Sequence, residues 1–112
     1  MDIQTVVETP TYLAIAGKLF SEEGREEIVA TVAFDPDCDD VMAGTGGFRK
    51  VRVARAGMGK RGGARLIYIA RSEDFPIFLV TVYAKDEKEN LTKEQRNQLA
   101  KRADEIFAKY GR

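Results

Sequence analysis

Apolar and polar positions follow two different periods along this chain, and the period changes near Phe48. Before that point the spacing is helical. Thr9 followed by Pro10 reads as an N-cap with proline at the first helical position, opening a short apolar helix through Leu13, Ala16 and Leu19 that ends near Phe20. Ser21 caps a second helix. Its acidic first turn (Glu22, Glu23) suits the helix dipole, and Ile28, Val29 and Val32 share one face until the Asp35-Pro36-Asp37 breaker. Residues 39–47 show little periodicity and contain Gly44, Gly46 and Gly47, so a loop is predicted there.

From Phe48 the period is two, as in a strand. Lys50, Arg52 and Ala54 fall on one side, and Arg49, Val51, Val53 and Arg55 on the other. A glycine-rich connection from Ala56 to Gly63 leads to a second strand, Arg65 to Arg71, and Ser72 to Asp74 make the next turn. A third strand from Ile77 to Lys85 is predicted to place Phe78, Val80 and Val82 on one face and Leu79, Thr81, Tyr83 and Lys85 on the other. The short connections make these three strands antiparallel neighbours, and Ile3 to Val7 offers an additional edge strand. Thr92 and Gln95 form a capping-box pair. Leu99, Ala103, Ile106, Phe107 and Tyr110 then recur at helical spacing before Gly111, which predicts an amphipathic C-terminal helix. The expected architecture is α+β: two N-terminal helices, an antiparallel sheet of three to four strands and a final helix, as one domain over residues 1–112.

Composition narrows the chemistry. At 112 residues and 44% hydrophobic content the chain has the size of one domain with one core. Neither a run of about 18 apolar residues nor a basic-then-apolar leader is present, so a cytoplasmic protein without membrane contact is expected. Cys38 is the single cysteine and cannot form an internal disulfide, in keeping with a reducing compartment. The sequon Asn90-Leu91-Thr92 reads as a helix start rather than a glycosylation site. The chain has no histidine, which excludes Ser-His-Asp and Cys-His catalysis and leaves zinc a poor ligand set. Any acid or base must be Lys, Tyr, Asp, Glu or the substrate itself.

The zero net charge conceals a strong segregation. Residues 41–71 hold eight cations (Arg49, Lys50, Arg52, Arg55, Lys60, Arg61, Arg65, Arg71) and no acid, whereas residues 1–40 hold ten acids against Lys18 and Arg25. Such a field draws a polyanion to one region of a neutral protein. The competing reading is a solvated, charged sheet edge.

Three local patterns are weaker than they look. Gly57-Met58-Gly59-Lys60-Arg61-Gly62 spells a dinucleotide-binding glycine motif, but a strand rather than a helix follows, and no Ser or Thr follows Lys60 as a P-loop would need. A mobile hairpin loop carrying Lys60 and Arg61 is the physical alternative. The run Asp35, Asp37, Asp39 and Asp40 lacks the glycine and the closing acid of a calcium loop, and in its acidic setting Cys38 is expected to be unreactive. Tyr68, Phe75, Phe78 and Tyr83 lie at strand spacing, as core residues do. Tyr83, sharing a strand face with Lys85, is the one suited to stacking on a base or to proton transfer.

Three segments together resemble the HigB-like branch of the RelE/ParE superfamily of bacterial type II toxins. They are Gly44-Thr45-Gly46-Gly47-Phe48-Arg49-Lys50-Val51-Arg52, then Gly59-Lys60-Arg61-Gly62-Gly63-Ala64-Arg65-Leu66-Ile67-Tyr68, and the stretch from Val80 through Tyr83-Ala84-Lys85 to Thr92. The resemblance implies a ribosome-dependent mRNA endoribonuclease in which the RNA 2′-OH attacks its own phosphodiester, with no cofactor or metal. It also implies a cognate helix-turn-helix antitoxin, and contact with operator DNA only through the antitoxin complex. Carried over to this sequence, it places phosphate stabilisation on Arg65 and Lys85, binding or proton transfer on Lys50 and Arg52, and RNA contacts on Arg49, Arg55, Lys60, Arg61 and Lys88. Leu91 stands near the slot where some relatives place a catalytic Tyr or His, so Tyr83 or a desolvated lysine is the candidate base. A ParE-like, gyrase-directed toxin and a non-catalytic basic module that binds nucleic acid or protein are the alternatives.

Overall fold

The computed structural model describes residues 4–37, 40–55, 59–71, 75–84 and 91–110. Its elements in chain order are β1 (Val6–Glu8), α1 (Pro10–Leu19), α2 (Glu22–Phe34), β2 (Phe48–Arg55), β3 (Gly59–Ile69), β4 (Ile77–Ala84) and α3 (Lys93–Tyr110). The strands form one sheet in the order β1-β4-β3-β2. The α+β architecture matches the expectation, with one difference of direction: β1 runs parallel to β4, whereas the β2-β3 and β3-β4 pairs are antiparallel. The parallel pairing follows from α1, which separates β1 from the rest of the sheet and lies against β4.

The helices start where the sequence signals them. Thr9 Oγ1 accepts from the Tyr12 amide at 3.3 Å and also donates to the Leu79 carbonyl at 2.9 Å, so one hydroxyl caps α1 and ties it to β4. Ser21 Oγ accepts from the Gly24 amide to cap α2. At α3 the capping box closes in both directions: Thr92 N donates to Gln95 Oε1 at 2.9 Å and Gln95 N to Thr92 Oγ1 at 3.1 Å.

The sheet is covered on both faces. On one side Tyr12, Ala16, Ile28 and Val32 of α1 and α2 pack on Val53, Leu66, Tyr68, Ile77, Leu79 and Val82. On the other, Ala103 and Ile106 of α3 pack on Phe48, Ile67, Ile69, Phe78, Val80 and Tyr83. Strand β4 is buried on both faces, which explains its nearly unbroken apolar sequence.

Two predicted details of the sheet are overturned. The strand predicted from Arg65 to Arg71 begins earlier and ends earlier, at Gly59 and Ile69, so Lys60 and Arg61 belong to strand β3 rather than to a hairpin loop. Glycines obscured this because they are poor strand formers, yet backbone pairing resumes at Arg55↔Gly59. The pairing there is irregular, with Lys60 to Gly63 lying opposite the single residue Ala54. The second correction concerns β4. Ile67 pairs with Thr81 but Tyr68 pairs with Leu79, leaving Val80 as an extra residue. This bulge inverts the alternation, so Val82 joins Leu79 in the core under α1, and Tyr83 joins Phe78 and Val80 under α3. The acidic-run residues Cys38 and Asp39 lie outside the described residues.

The loop before β2 is a socket for α3. Gly44, Gly46 and Gly47 have φ of 78°, 80° and 120°, a region that side chains with a Cβ rarely occupy. Buried Thr45 holds the turn, its hydroxyl donating to the Met42 carbonyl at 2.8 Å and accepting from the Phe48 amide at 3.1 Å. A Cβ on Gly46 would lie 3.0 Å from that of Ala103, so the loop backbone presses directly on the helix.

Candidate nucleic-acid interface on the sheet

Strand register assembles the site. Arg52 of β2 pairs with Arg65 of β3, and Arg65 pairs with Tyr83 of β4, so the three side chains form one row across the sheet. In such a row neighbouring Cβ atoms lie about 4.5–5.5 Å apart. Lys50 stands two residues along β2 on the same face, opposite Ile67 and Thr81. This is the face that packs against α3, and only the bulge at Val80 places Tyr83 there.

The row grades from wet to dry. Arg52 is exposed, Lys50 half-buried, and Arg65 and Tyr83 are buried. Arg65 is 9% exposed, its Nη1 has no hydrogen-bond partner, and no acid pairs with it among the described residues. A guanidinium nitrogen buried without an acceptor is costly, and an anion beside it relieves that cost. Burial raises the Tyr83 phenol above its ordinary pKa, while the positive charges of Arg65 and Arg96 pull it back down. At neutral pH the phenol is therefore protonated and able to donate.

Tyr83 also lines a groove of about 570 Å³ along β4, bounded by Ile15, Lys18 and Leu19 of α1 and by Leu91, Gln95 and Leu99 on the α3 side. Arg96, in the first turn of α3, was not expected from the sequence to matter. Its guanidinium Nη1 donates to the Ala43 carbonyl at 2.8 Å, and its charge is felt at Tyr83. A signal was present: Arg96 lies on the stripe continued by Leu99, Ala103 and Ile106, where a cation is out of place unless it has a task.

Other predicted residues fall elsewhere. Arg49 points to the opposite face beside Tyr68 and forms an ion pair with Asp37 at 3.1 Å, so it stands apart from Lys50, Arg52 and Arg65. The reason is the strict alternation of β2. Arg71 is also engaged elsewhere, its guanidinium 4.5 Å from the Phe107 ring centroid and 5.9 Å from that of Phe75. Arg55, Lys60 and Arg61 are described in backbone only, as part of β2 and β3, and Lys85 and Lys88 lie outside the described residues. No group of three or more His, Cys, Asp or Glu side chains that could hold a metal occurs among the described residues. Among the same residues no helix is long and apolar enough to cross a membrane.

Comparison with solved structures shows the same fold in a mutant of the E. coli toxin RelE in the free state. The two share 18% identity at a TM-score of 0.57, over 79% of this chain and 90% of that one. Residues 30–111 match the family described as the RelE toxin of the RelE/RelB toxin-antitoxin system, a span that runs from α2 through the whole cationic face to the end of α3. Because the family match takes in most of its length, the chain belongs to the RelE toxin family.

Proposed function

We propose that this chain is the toxin of a type II toxin-antitoxin pair, of the HigB-like branch, and that it inhibits translation as a ribosome-dependent mRNA endoribonuclease. The observation that supports this most is the Arg52-Arg65-Tyr83 row with a buried, unpartnered Arg65 nitrogen at its centre. Phosphodiester cleavage by an internal 2′-OH needs little covalent chemistry from a protein. The 2′-OH gives up its proton to water as its oxygen bonds to phosphorus, the bond to the 5′ oxygen breaks as that oxygen takes up a proton, and charge builds on the equatorial oxygens between these events. Arg65 is the group placed to meet that charge, and a preorganised donor of this kind is worth about 3–4 kcal/mol of barrier. Lys50 and Arg52 hold the flanking backbone. The protonated Tyr83 donates a hydrogen bond toward the departing oxygen. Lys85 and Lys88 follow β4 in the chain and join the same reading through the family resemblance.

Membership of the family implies an antitoxin partner, here a helix-turn-helix protein through which alone operator DNA is contacted. The cytoplasm, where ribosomes and mRNA are, is the corresponding location.

The test is induction of the chain in growing bacteria, with cleavage mapped on mRNA in programmed ribosomes. Wild type arrests translation with discrete cuts. Arg65→Ala lowers the cleavage rate by about 100- to 1,000-fold, and Tyr83→Phe lowers it by at least tenfold, both at unchanged expression. Growth arrest with intact mRNA would overturn the reading in favour of a gyrase-directed toxin, and salt-sensitive RNA binding without product would favour a non-catalytic module.

A further inference from the structure

We propose that Arg96 is an RNA phosphate-contacting residue, a cation that helix α3 adds to the β-sheet row; this rests on the ribonuclease reading above. Arg96 sits in the first turn of α3, and its guanidinium reaches back to the Ala43 carbonyl at 2.8 Å. That bond engages one of its five N–H donors and fixes the head group at the turn leading into β2, the strand that bears Lys50 and Arg52. It is the only hydrogen bond the Arg96 side chain makes among the described residues, and no acid pairs with it there.

The surroundings select an anion as its ligand. Tyr83 pairs with Arg65 across the sheet and lines one groove with Gln95 and Leu99, the α3 residues on either side of Arg96 in the chain, and the charges of Arg65 and Arg96 both act on its phenol. Neither is neutralised by an acid among the described residues, and like charges so placed repel until an anion joins them. A guanidinium held by one carbonyl, with its remaining donors open, matches the oxygens of a phosphate. The socket around Gly46 makes the placement rigid, because the loop that offers Ala43 presses against Ala100 and Ala103 of the same helix. A phosphate seated between Arg65 and Arg96 would make α3 part of the RNA-binding surface.

The experiment compares wild type with Arg96→Gln and Arg96→Lys in two assays: cleavage of mRNA in programmed ribosomes, and binding of a short single-stranded RNA across a salt series. Arg96→Gln should weaken RNA binding about tenfold and reduce the slope of log affinity against log salt by about 0.7, the value for one single-strand phosphate contact. Arg96→Lys should restore most of the slope. Alkaline titration of the tyrosines reads the placement without RNA, since loss of the Arg96 charge should move the Tyr83 transition upward. If Arg96→Gln lowers thermal stability but leaves the salt slope unchanged, Arg96 is a structural tether and the proposal is overturned. If Arg96→Gln leaves both slope and Tyr83 titration at wild-type values while Arg65→Ala abolishes cleavage, the proposal fails and the ribonuclease reading stands. Absence of both binding and cleavage in wild type removes that reading and this proposal with it.

Discussion

Arg49 and Arg65 are indistinguishable as letters, yet one is paired with Asp37 on the α2 side and the other is buried on the α3 side with its Nη1 lacking an acceptor. For β2 this sorting was legible in the sequence, because an uninterrupted strand keeps its alternation and Lys50 and Arg52 do share a face. For Tyr83 it was not. Val80 is as apolar as its neighbours, so nothing marks it as the surplus residue that turns Tyr83 over. Tyr12 offers a second test at this scale. It is fully buried, and its hydroxyl has no partner among the described residues. Burial and then the nearby Glu8 raise its pKa from 10.0 to about 12, against the opposing charge of Arg25. Below about pH 10 both folded and unfolded states hold this proton. Between pH 10 and 12 the unfolded state releases it first, so stability is lost as pH rises, by about 2 kcal/mol. Denaturant melts of Tyr12→Phe should lack this part of the alkaline loss. At pH 7 the same variant should be unchanged or up to about 1 kcal/mol more stable, since an unsatisfied buried hydroxyl is removed.

At the scale of elements, the caps were legible and the glycines only partly so. Thr9-Pro10, Ser21 and the Thr92/Gln95 box each combine a side-chain oxygen with the helical spacing that follows, and each sets its helix start. Gly44, Gly46 and Gly47 were recognisable as a loop, but their service to α3 was hidden, because the contact joins residues more than 50 positions apart. Gly46→Ala should therefore destabilise the fold by about 1–3 kcal/mol, through both its positive φ and the 3.0 Å approach to Ala103. Thermal unfolding monitored by circular dichroism reads the loss. Gly17→Ala is the contrast: it is helical, with nothing within 4 Å of the new Cβ, and should be neutral or stabilising. The glycine-rich start of β3 misled for the opposite reason, since backbone pairing overrode weak strand propensity.

For the whole molecule, the segregation of charge along the chain becomes a segregation between layers. The acidic α2, with Glu22, Glu23, Glu26 and Glu27, packs on one side of the sheet, and Lys50, Arg52 and Arg65 face the other. The total charge gave no hint of this, whereas the distribution along the sequence did. One long-range tie has a temporal consequence. Thr9 bonds to Leu79 and Val80, and Val6 to Glu8 take their register from Ile77 to Leu79, some 70 positions downstream. During synthesis at about 5–20 residues per second, the leading segment must therefore wait roughly 4–14 s for its docking strand to emerge. A nascent toxin shorter than this cannot seal its sheet, so a chain terminated at Asp74 should show no cooperative melting. The fold is thus closed only in the last third of the chain's own translation.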